Sequence, residues 1–352
     1  MTPLAPLTTL GVGGAAAAYL EAATPDALIA ALRDADGQGS PVLLLGGGSN
    51  LVISDGGFPG LVLAVRHRGI RARGEEQVIV RAAAGEPWDD LVAWTTARGL
   101  AGLECLAGIP GLVGATPIQN VGAYGQEVAD TLIDVTVWDR QQQCERVLLA
   151  ADCAFGYRSS AFKGPLRGRF AVLSVRFGLH RGAPTPPRQG ELQRRLAANI
   201  GPPTPEALRL IVMDLRRAKG MVYDPGDPDT HSAGSFFVNP VVSVEHAQHI
   251  ADGVSRDMPR YPVGPGRVKL AAAWLIERAG YARGFAMGRA ALSSRHALAI
   301  TNRGGASAAE VVALARHIQA GVRQRFGVSL EPEPVLVGLA LDPESSEPGA
   351  KA

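Results

Sequence analysis

The apolar run Val42-Leu43-Leu44-Leu45 ends abruptly in Gly46-Gly47-Gly48, and Ser49-Asn50-Leu51 follows. The run is too short for a helix and stops at glycine, so the pattern predicts a buried strand. Glycine reaches positive φ at little steric cost and leaves the backbone N–H groups bare. Several such groups in one turn form a concave anion site, most often for a phosphate or diphosphate. Ser49 and Asn50 add side-chain hydrogen-bonding groups. The same residues also suit a tight turn between two strands, because Gly-rich turns are common. This stretch alone leaves both readings open.

A chain of 352 residues suits two or three domains, each with its own core. Its apolar and charged fractions, 46% and 19%, are ordinary for a soluble globular protein. A formal net charge of +2 gives no large basic field. Nucleic acid is therefore not expected as a partner, whereas a local basic pocket for a small acidic ligand is compatible. The three cysteines, Cys105, Cys144 and Cys153, show no metal spacing. They fit a reducing compartment, so a cytoplasmic location and no metal site are expected. No basic segment precedes an apolar block near the start, so no secretory leader is expected. No apolar run is long enough to predict a membrane span.

In chain order, Gly11-Val12-Gly13-Gly14-Ala15-Ala16 imitates a dinucleotide fingerprint. No strand-like run comes before it, which argues against that reading. Thr24-Pro25 predicts a helix start. A turn at Gly56–Gly60 and a strand at Leu61–Val65 are expected next. Val78–Val80 reads as a strand, and Pro87–Arg98 as a helix closed by Gly99. The stretch Gly102–Gly125 is rich in Gly and Pro yet apolar, which suits backbone contact with a flat ligand. Val135–Trp138 and Val172–Val175 read as strands, with Phe155–Lys163 between them. The Pro-rich segment Arg181–Pro205 reads as a connection with a short helix at Glu191–Asn199. Thr204-Pro205 opens a helix running to about Arg217. Val268–Ala279 is expected as a helix, His296–Thr301 as a strand, and Ser307 with Glu310 as a capping box. Residues after Leu341 read as a disordered tail.

The set Gly46–Leu51, Ile109-Pro110-Gly111 through Gly122-Ala123-Tyr124-Gly125, Gly156-Tyr157-Arg158, Gly234–Pro240 and Leu330-Glu331-Pro332-Glu333 closely resembles the UDP-N-acetylenolpyruvoylglucosamine reductase (MurB) family. The match spans nearly the whole chain in the right order. It implies an α/β (α+β) chain with an FAD-binding fold of the vanillyl-alcohol oxidase and p-cresol methylhydroxylase type. Residues 1–66, completed by 333–342, and 67–218 would form two FAD-binding subdomains. Residues 219–332 would form a substrate domain, with 343–352 as the tail. The insertion after Arg181 resembles the long form of the family.

The resemblance implies reduction of UDP-N-acetylglucosamine enolpyruvate by NADPH through FAD, in peptidoglycan precursor synthesis, by a monomer that does not enter the membrane. The implied FAD contacts are Gly46, Gly47, Gly48, Ser49, Asn50, Leu51, Gly114, Ala115, Thr116, Pro117, Gln119, Asn120 and Gly122. Arg158 would hold the enolate, since its planar fork pairs bidentately with carboxylate. Ser235 would supply the proton, and Glu333 would stabilise or protonate the intermediate. Tyr157, Arg158, Asn239 and Glu333 would contact substrate. Lys219 and Lys269 suit either a diphosphate or helix-end charges.

Taken singly, the same residues have plainer readings. Arg158 suits a surface ion pair, Ser235 a turn, Glu331 and Glu333 a solvated strand edge, and Tyr157 a core. Two further function classes fit parts of the pattern: an oxygen-using oxidase on the same flavin fold, and a flavin- or nucleotide-binding module without catalysis. The chain departs from some members in Ala115-Thr116, where two serines occur, and in Pro334, where an aliphatic residue occurs.

Overall fold

A computed structural model of the chain describes residues 1–186, 190–197 and 203–341. The tail after Leu341 and the end of the segment expected as a helix to Asn199 lie outside the described residues.

The first layer is a four-stranded sheet in the order Thr2–Pro3, Ala15–Ala22, Phe58–Val65, Val42–Leu45. The last three strands run parallel. The helix Pro25–Gly37 crosses between them, opened by the Thr24 side chain accepting from Ala27 N–H at 3.1 Å. Its Leu28, Ile29 and Leu32 are buried. After the glycine run, Leu51–Ile53 leaves this sheet and pairs in parallel with Val335–Val337.

The second layer is an antiparallel sheet, Cys144–Leu149, Leu132–Asp139, Phe170–Arg181, Gln77–Ala83, Ile70–Arg73. The helices Trp88–Thr96 and Pro205–Ala218 pack against its core. Trp88, 1% exposed, meets Phe177 edge-on at 5.9 Å and donates to the Leu106 carbonyl at 2.9 Å. A buried indole N–H needs such a partner, and this one ties the apolar glycine-rich segment to the core.

The third layer joins Ser232–Ser235, Ala299–Asn302, Ala290–Leu292 and Ala286–Met287 into one sheet. The long helix Ala308–Phe326 packs on it, opened by the reciprocal Ser307–Glu310 capping box and closed by Gly327 at φ +65°. Asp55, a few residues after the Gly46–Gly48 run, also accepts from Ala308 N–H at 2.8 Å and Ala309 N–H at 3.0 Å. A carboxylate there suits the positive end of the helix dipole.

Several elements differ from the sequence-based expectation. Arg267–Leu270 is a strand between Val241–Ser243 and Arg260–Gly264, and the helix covers only Ala272–Arg278. Cross-strand pairing on both sides outweighs the apolar helical pattern there. The strand near His296 begins only at Ala299, because residues 293–295 wrap around Asp229. Phe58–Gly60 belongs to a strand rather than a turn. Ala15–Ala22 is an unforeseen strand that follows the fingerprint-like glycines, where a dinucleotide site would need a helix.

Candidate active site

The glycine loop Gly46–Ser49 turns at Gly48, which has φ +63° and lies against the Leu7 carbonyl. A Cβ on Gly47 would stand 2.9 Å from Gly111 Cα, so the two glycine-rich loops touch backbone to backbone. Ser49 Oγ donates to the Pro110 carbonyl at 3.0 Å and fixes that contact. Among the described residues, the N–H groups of Gly47, Gly48 and Ser49 have no hydrogen-bond acceptor in the protein. Gly48 is buried. Buried unpaired donors are costly, and a diphosphate would satisfy these. The loop therefore fits the anionic part of FAD. The Gly46 carbonyl accepts from Arg66 Nη1 at 3.2 Å, and Leu51 begins the strand paired with Val335.

The second loop carries the other proposed cofactor contacts. Gly114 is packed on Ala84, where a Cβ would lie 2.6 Å from the alanine's own. Ala115 is exposed in an otherwise mostly buried run, as Gly47 is in the first loop. Thr116 donates to the Val113 carbonyl at 2.8 Å and opens the one-turn helix Thr116–Gln119, with Pro117 in its first turn. Asn120 follows in the left-handed region at φ 43° and is 1% exposed. Its side chain is spent inside the protein: Nδ2 donates to Glu127 and the Gly156 carbonyl, and Oδ1 accepts from Ala129 N–H. Asn120 thus shapes the loop. The Gly122 carbonyl accepts from Arg158 Nη2 at 2.5 Å.

Arg158 is brought beside this loop by a tight turn in which it adopts φ 52°. Its Nε lies 3.1 Å from a Glu333 carboxylate oxygen. Burial pushes the Glu333 carboxyl above its ordinary pKa, while Arg158 and Lys163 pull the other way. The backbone of Glu333 is tied to both sides of the site. Its N–H donates to the Phe236 carbonyl at 2.9 Å, and Val238 N–H donates to the Glu331 carbonyl at 3.0 Å. The Asn50 and Gln119 side chains approach the Glu333 carbonyl, each at a long 3.5 Å. Pro334 is buried, and pairing resumes at Val335, whose N–H reaches the Asn50 carbonyl at 2.9 Å. The missing N–H of proline therefore falls where the strand has not begun.

Ser235 ends the Ser232–Ser235 strand, just after a bulge that Gly234 makes at φ +77°. It is immediately followed by Phe236, whose carbonyl holds Glu333. Asn239 bridges two elements: its Oδ1 accepts from Ala272 N–H at 2.9 Å, and its Nδ2 donates to Tyr157 Oη at 3.1 Å. Lys269 Nζ stands 3.9 Å from the Tyr157 ring centroid and Arg158 Cζ 5.3 Å from it. Cations over an aromatic face are held by its quadrupole. Three cationic or polar groups thus converge around Tyr157.

A neighbouring cavity of about 180 Å³ is lined by Lys219, Arg283, Arg295 and His296, with Glu277 and two alanines. Burial, then Lys219 and other cations, hold His296 down to about 4, so its ring is neutral. Lys219 pairs with Glu191 at 2.6 Å and Arg295 with Asp227 and Asp229. Among the described residues, no group of His, Cys, Asp and Glu suits a metal ion, and no helix is long and apolar enough to cross a membrane.

Lys163 gains a role that motif reading missed, and Gln119, expected as an FAD contact, gains a further one. Lys163 Nζ donates to Gln119 Oε1 at 2.9 Å and to the Arg158 carbonyl at 3.0 Å. The available signal was its place five residues after Arg158, in the same short segment.

Comparison with known proteins gives a consistent picture. Residues 16–147 match the model of an FAD binding domain, and residues 227–337 match the C-terminal domain of UDP-N-acetylenolpyruvoylglucosamine reductase. The chain is 50% identical to the UDP-N-acetylenolpyruvoylglucosamine reductase of Thermobifida fusca, with 96% of this chain and 98% of that protein covered. It is 51% identical to that of Streptomyces coelicolor, with 96% and 90% covered. The crystal structure of the same enzyme (MurB) from Thermus caldophilus superposes with a TM-score of 0.64 at 27% identity, covering 95% of this chain and 97% of that one.

Proposed function

The chain belongs to the UDP-N-acetylenolpyruvoylglucosamine reductase family, and we propose that Arg158, Ser235 and Glu333 carry its reaction. It is an FAD-dependent oxidoreductase of peptidoglycan precursor synthesis, reducing UDP-N-acetylglucosamine enolpyruvate with NADPH as the reductant. When bound, FAD would supply the hydride chemistry that links NADPH to the enol ether. The first glycine loop, with Gly46–Leu51, and the second, with Gly114–Gln119 and Gly122, hold the cofactor, Asn120 by fixing the loop backbone.

The pairing of Arg158 with Glu333, beside the segment bearing Ser235, is the observation that carries this reading. Reduction of an enol ether that bears a carboxylate would place negative charge on the carbon beside that carboxylate. Arg158 neutralises it, since guanidinium stays charged throughout the working pH range. Ser235 donates the proton to that carbon. A serine hydroxyl is a weak acid, but an enolate carbon held in contact is basic enough to take its proton. Protonated Glu333 releases Arg158 to the substrate carboxylate, and its raised proton affinity supports that role. Tyr157 and Asn239 orient the substrate, with Lys269 at the same aromatic face. The cavity of Lys219 and His296 suits the diphosphate.

This reading divides the chain into residues 1–66 with 333–342, residues 67–218, and residues 219–332. The pairing of Leu51–Ile53 with Val335–Val337 supports the return of the last segment. A monomer is part of this proposal, and a cytoplasmic location agrees with the NADPH reductant and the nucleotide-sugar substrate.

Rapid mixing of Ser235→Ala tests the assignment. NADPH should still bleach the flavin at the wild-type rate. Reoxidation by the enolpyruvyl substrate should slow about 10²–10⁴-fold, the range for loss of a positioned acid. Wild-type reoxidation would remove Ser235 from the chemistry.

A further inference from the structure

We infer that Lys163 is a positioning residue that sets the Arg158–Glu333 pair, acting through the Arg158 carbonyl and the Gln119 amide. The inference rests on the role given to that pair above.

Four residues from three segments close a ring. Lys163 Nζ donates to the Arg158 carbonyl at 3.0 Å and to Gln119 Oε1 at 2.9 Å. Gln119 Nε2 points to the Glu333 carbonyl at 3.5 Å. Arg158 Nε closes the ring on the Glu333 carboxylate at 3.1 Å. The bond from Lys163 also fixes the orientation of Gln119, because an amide whose oxygen is taken by an ammonium must present its NH₂ elsewhere.

Arg158 needs such support. Its φ of 52° is a region that non-glycine residues seldom occupy, and such a conformation persists only when the surroundings hold it. A charged donor on its own carbonyl is a hold of the stronger kind. Lys163 is partly buried, so its charge acts with little screening. The charged groups near it are Glu333, Arg158, Glu331 and Arg167. Those that bear on Glu333 are Arg158 and Lys163, with the Tyr157 hydroxyl also within its field. Lys163 thus tempers the rise in proton affinity that burial gives Glu333. No direct Lys163–Glu333 hydrogen bond is present among the described residues, so the influence runs through geometry and charge.

The test compares Lys163→Met, Lys163→Arg and Glu333→Gln by the pH dependence of flavin reoxidation by the enolpyruvyl substrate, with the FAD absorption spectrum as the folding control. Wild-type rates should fall as pH rises through the Glu333 pKa. In Lys163→Met that fall should move to higher pH by at least half a unit, with kcat reduced about tenfold or more. Lys163→Arg keeps the charge and should keep the wild-type position of the fall. Should Lys163→Met not retain FAD, Lys163→Gln is read in its place. Glu333→Gln should lose the fall altogether. If Glu333→Gln keeps it, the role of the pair is wrong and the inference goes with it. If Glu333→Gln loses it while the neutral Lys163 variant keeps the wild-type position and rate, Lys163 is a packing residue and this inference alone is overturned.

Discussion

Arg158 Nε stands 3.1 Å from the Glu333 carboxylate, and the main chain of Glu333 is pinned to the carbonyl of Phe236, the residue next to Ser235. These two contacts join the segment after the second glycine loop to the last strand and to the third layer. The three proposed reacting residues come from different parts of the chain, and the fold pairs Arg158 with Glu333 and ties Glu333 to the residue after Ser235.

Glu333 offers the sharpest pH signature. Burial raises its proton affinity, so the folded protein binds this proton more tightly than the unfolded chain does. Its contribution to stability is fully present below the ordinary carboxylate range and declines as pH rises through the raised folded value. Glu333→Gln should abolish that decline in urea-denaturation curves and slow the second half-reaction about 10²–10⁴-fold. An unchanged pH–rate profile in Glu333→Gln would count against its role.

Gly47→Ala should weaken FAD binding. A Cβ there would meet Gly111 Cα at 2.9 Å, forcing the two loops apart. Overpacking of this kind costs about 1–3 kcal/mol, a loss of about fivefold to 150-fold in affinity. Fluorescence titration with FAD measures it, and wild-type affinity would show that the loops do not jointly hold the cofactor.

Asp229 tests the third layer. It is 5% exposed; burial acts to raise its pKa, but the Ser294 N–H and Arg295, with Ser293 and the Ser294 hydroxyl, override this and hold the carboxyl down to about 2. It also pairs with Arg303 at 2.8 Å. Its contribution to stability is present above the ordinary carboxylate range and is lost as pH falls toward about 2. Asp229→Ala leaves two arginines without their buried partner and should cost about 3–5 kcal/mol. Denaturation midpoints equal to wild type at neutral pH would refute this.

Much of the architecture was legible because local chemistry and tertiary context agree. Thr24, Ser307 and Gly327 cap helices as their residue types predict, and Val42–Leu45 is a strand that breaks at glycine. The strand Ala15–Ala22 was not legible, since alanine carries little strand preference and its neighbours Thr2–Pro3 and Phe58–Val65 impose it. Arg267–Leu270 was misread because a short apolar run does not declare its period. At the site, motifs marked Arg158 and Glu333 but not the ring that holds them. Lys163 and Gln119 act through backbone carbonyls, and no spacing in the chain reveals which carbonyl a side chain will meet.

An anaerobic spectral titration tests the central claim most directly. The purified protein should show an oxidised flavin spectrum that bleaches with NADPH and returns on adding UDP-N-acetylglucosamine enolpyruvate without oxygen. A flavin that bleaches but returns only with oxygen would contradict the reductase account. No flavin spectrum after reconstitution with FAD would contradict the reading of Gly46–Leu51 on which the rest is built.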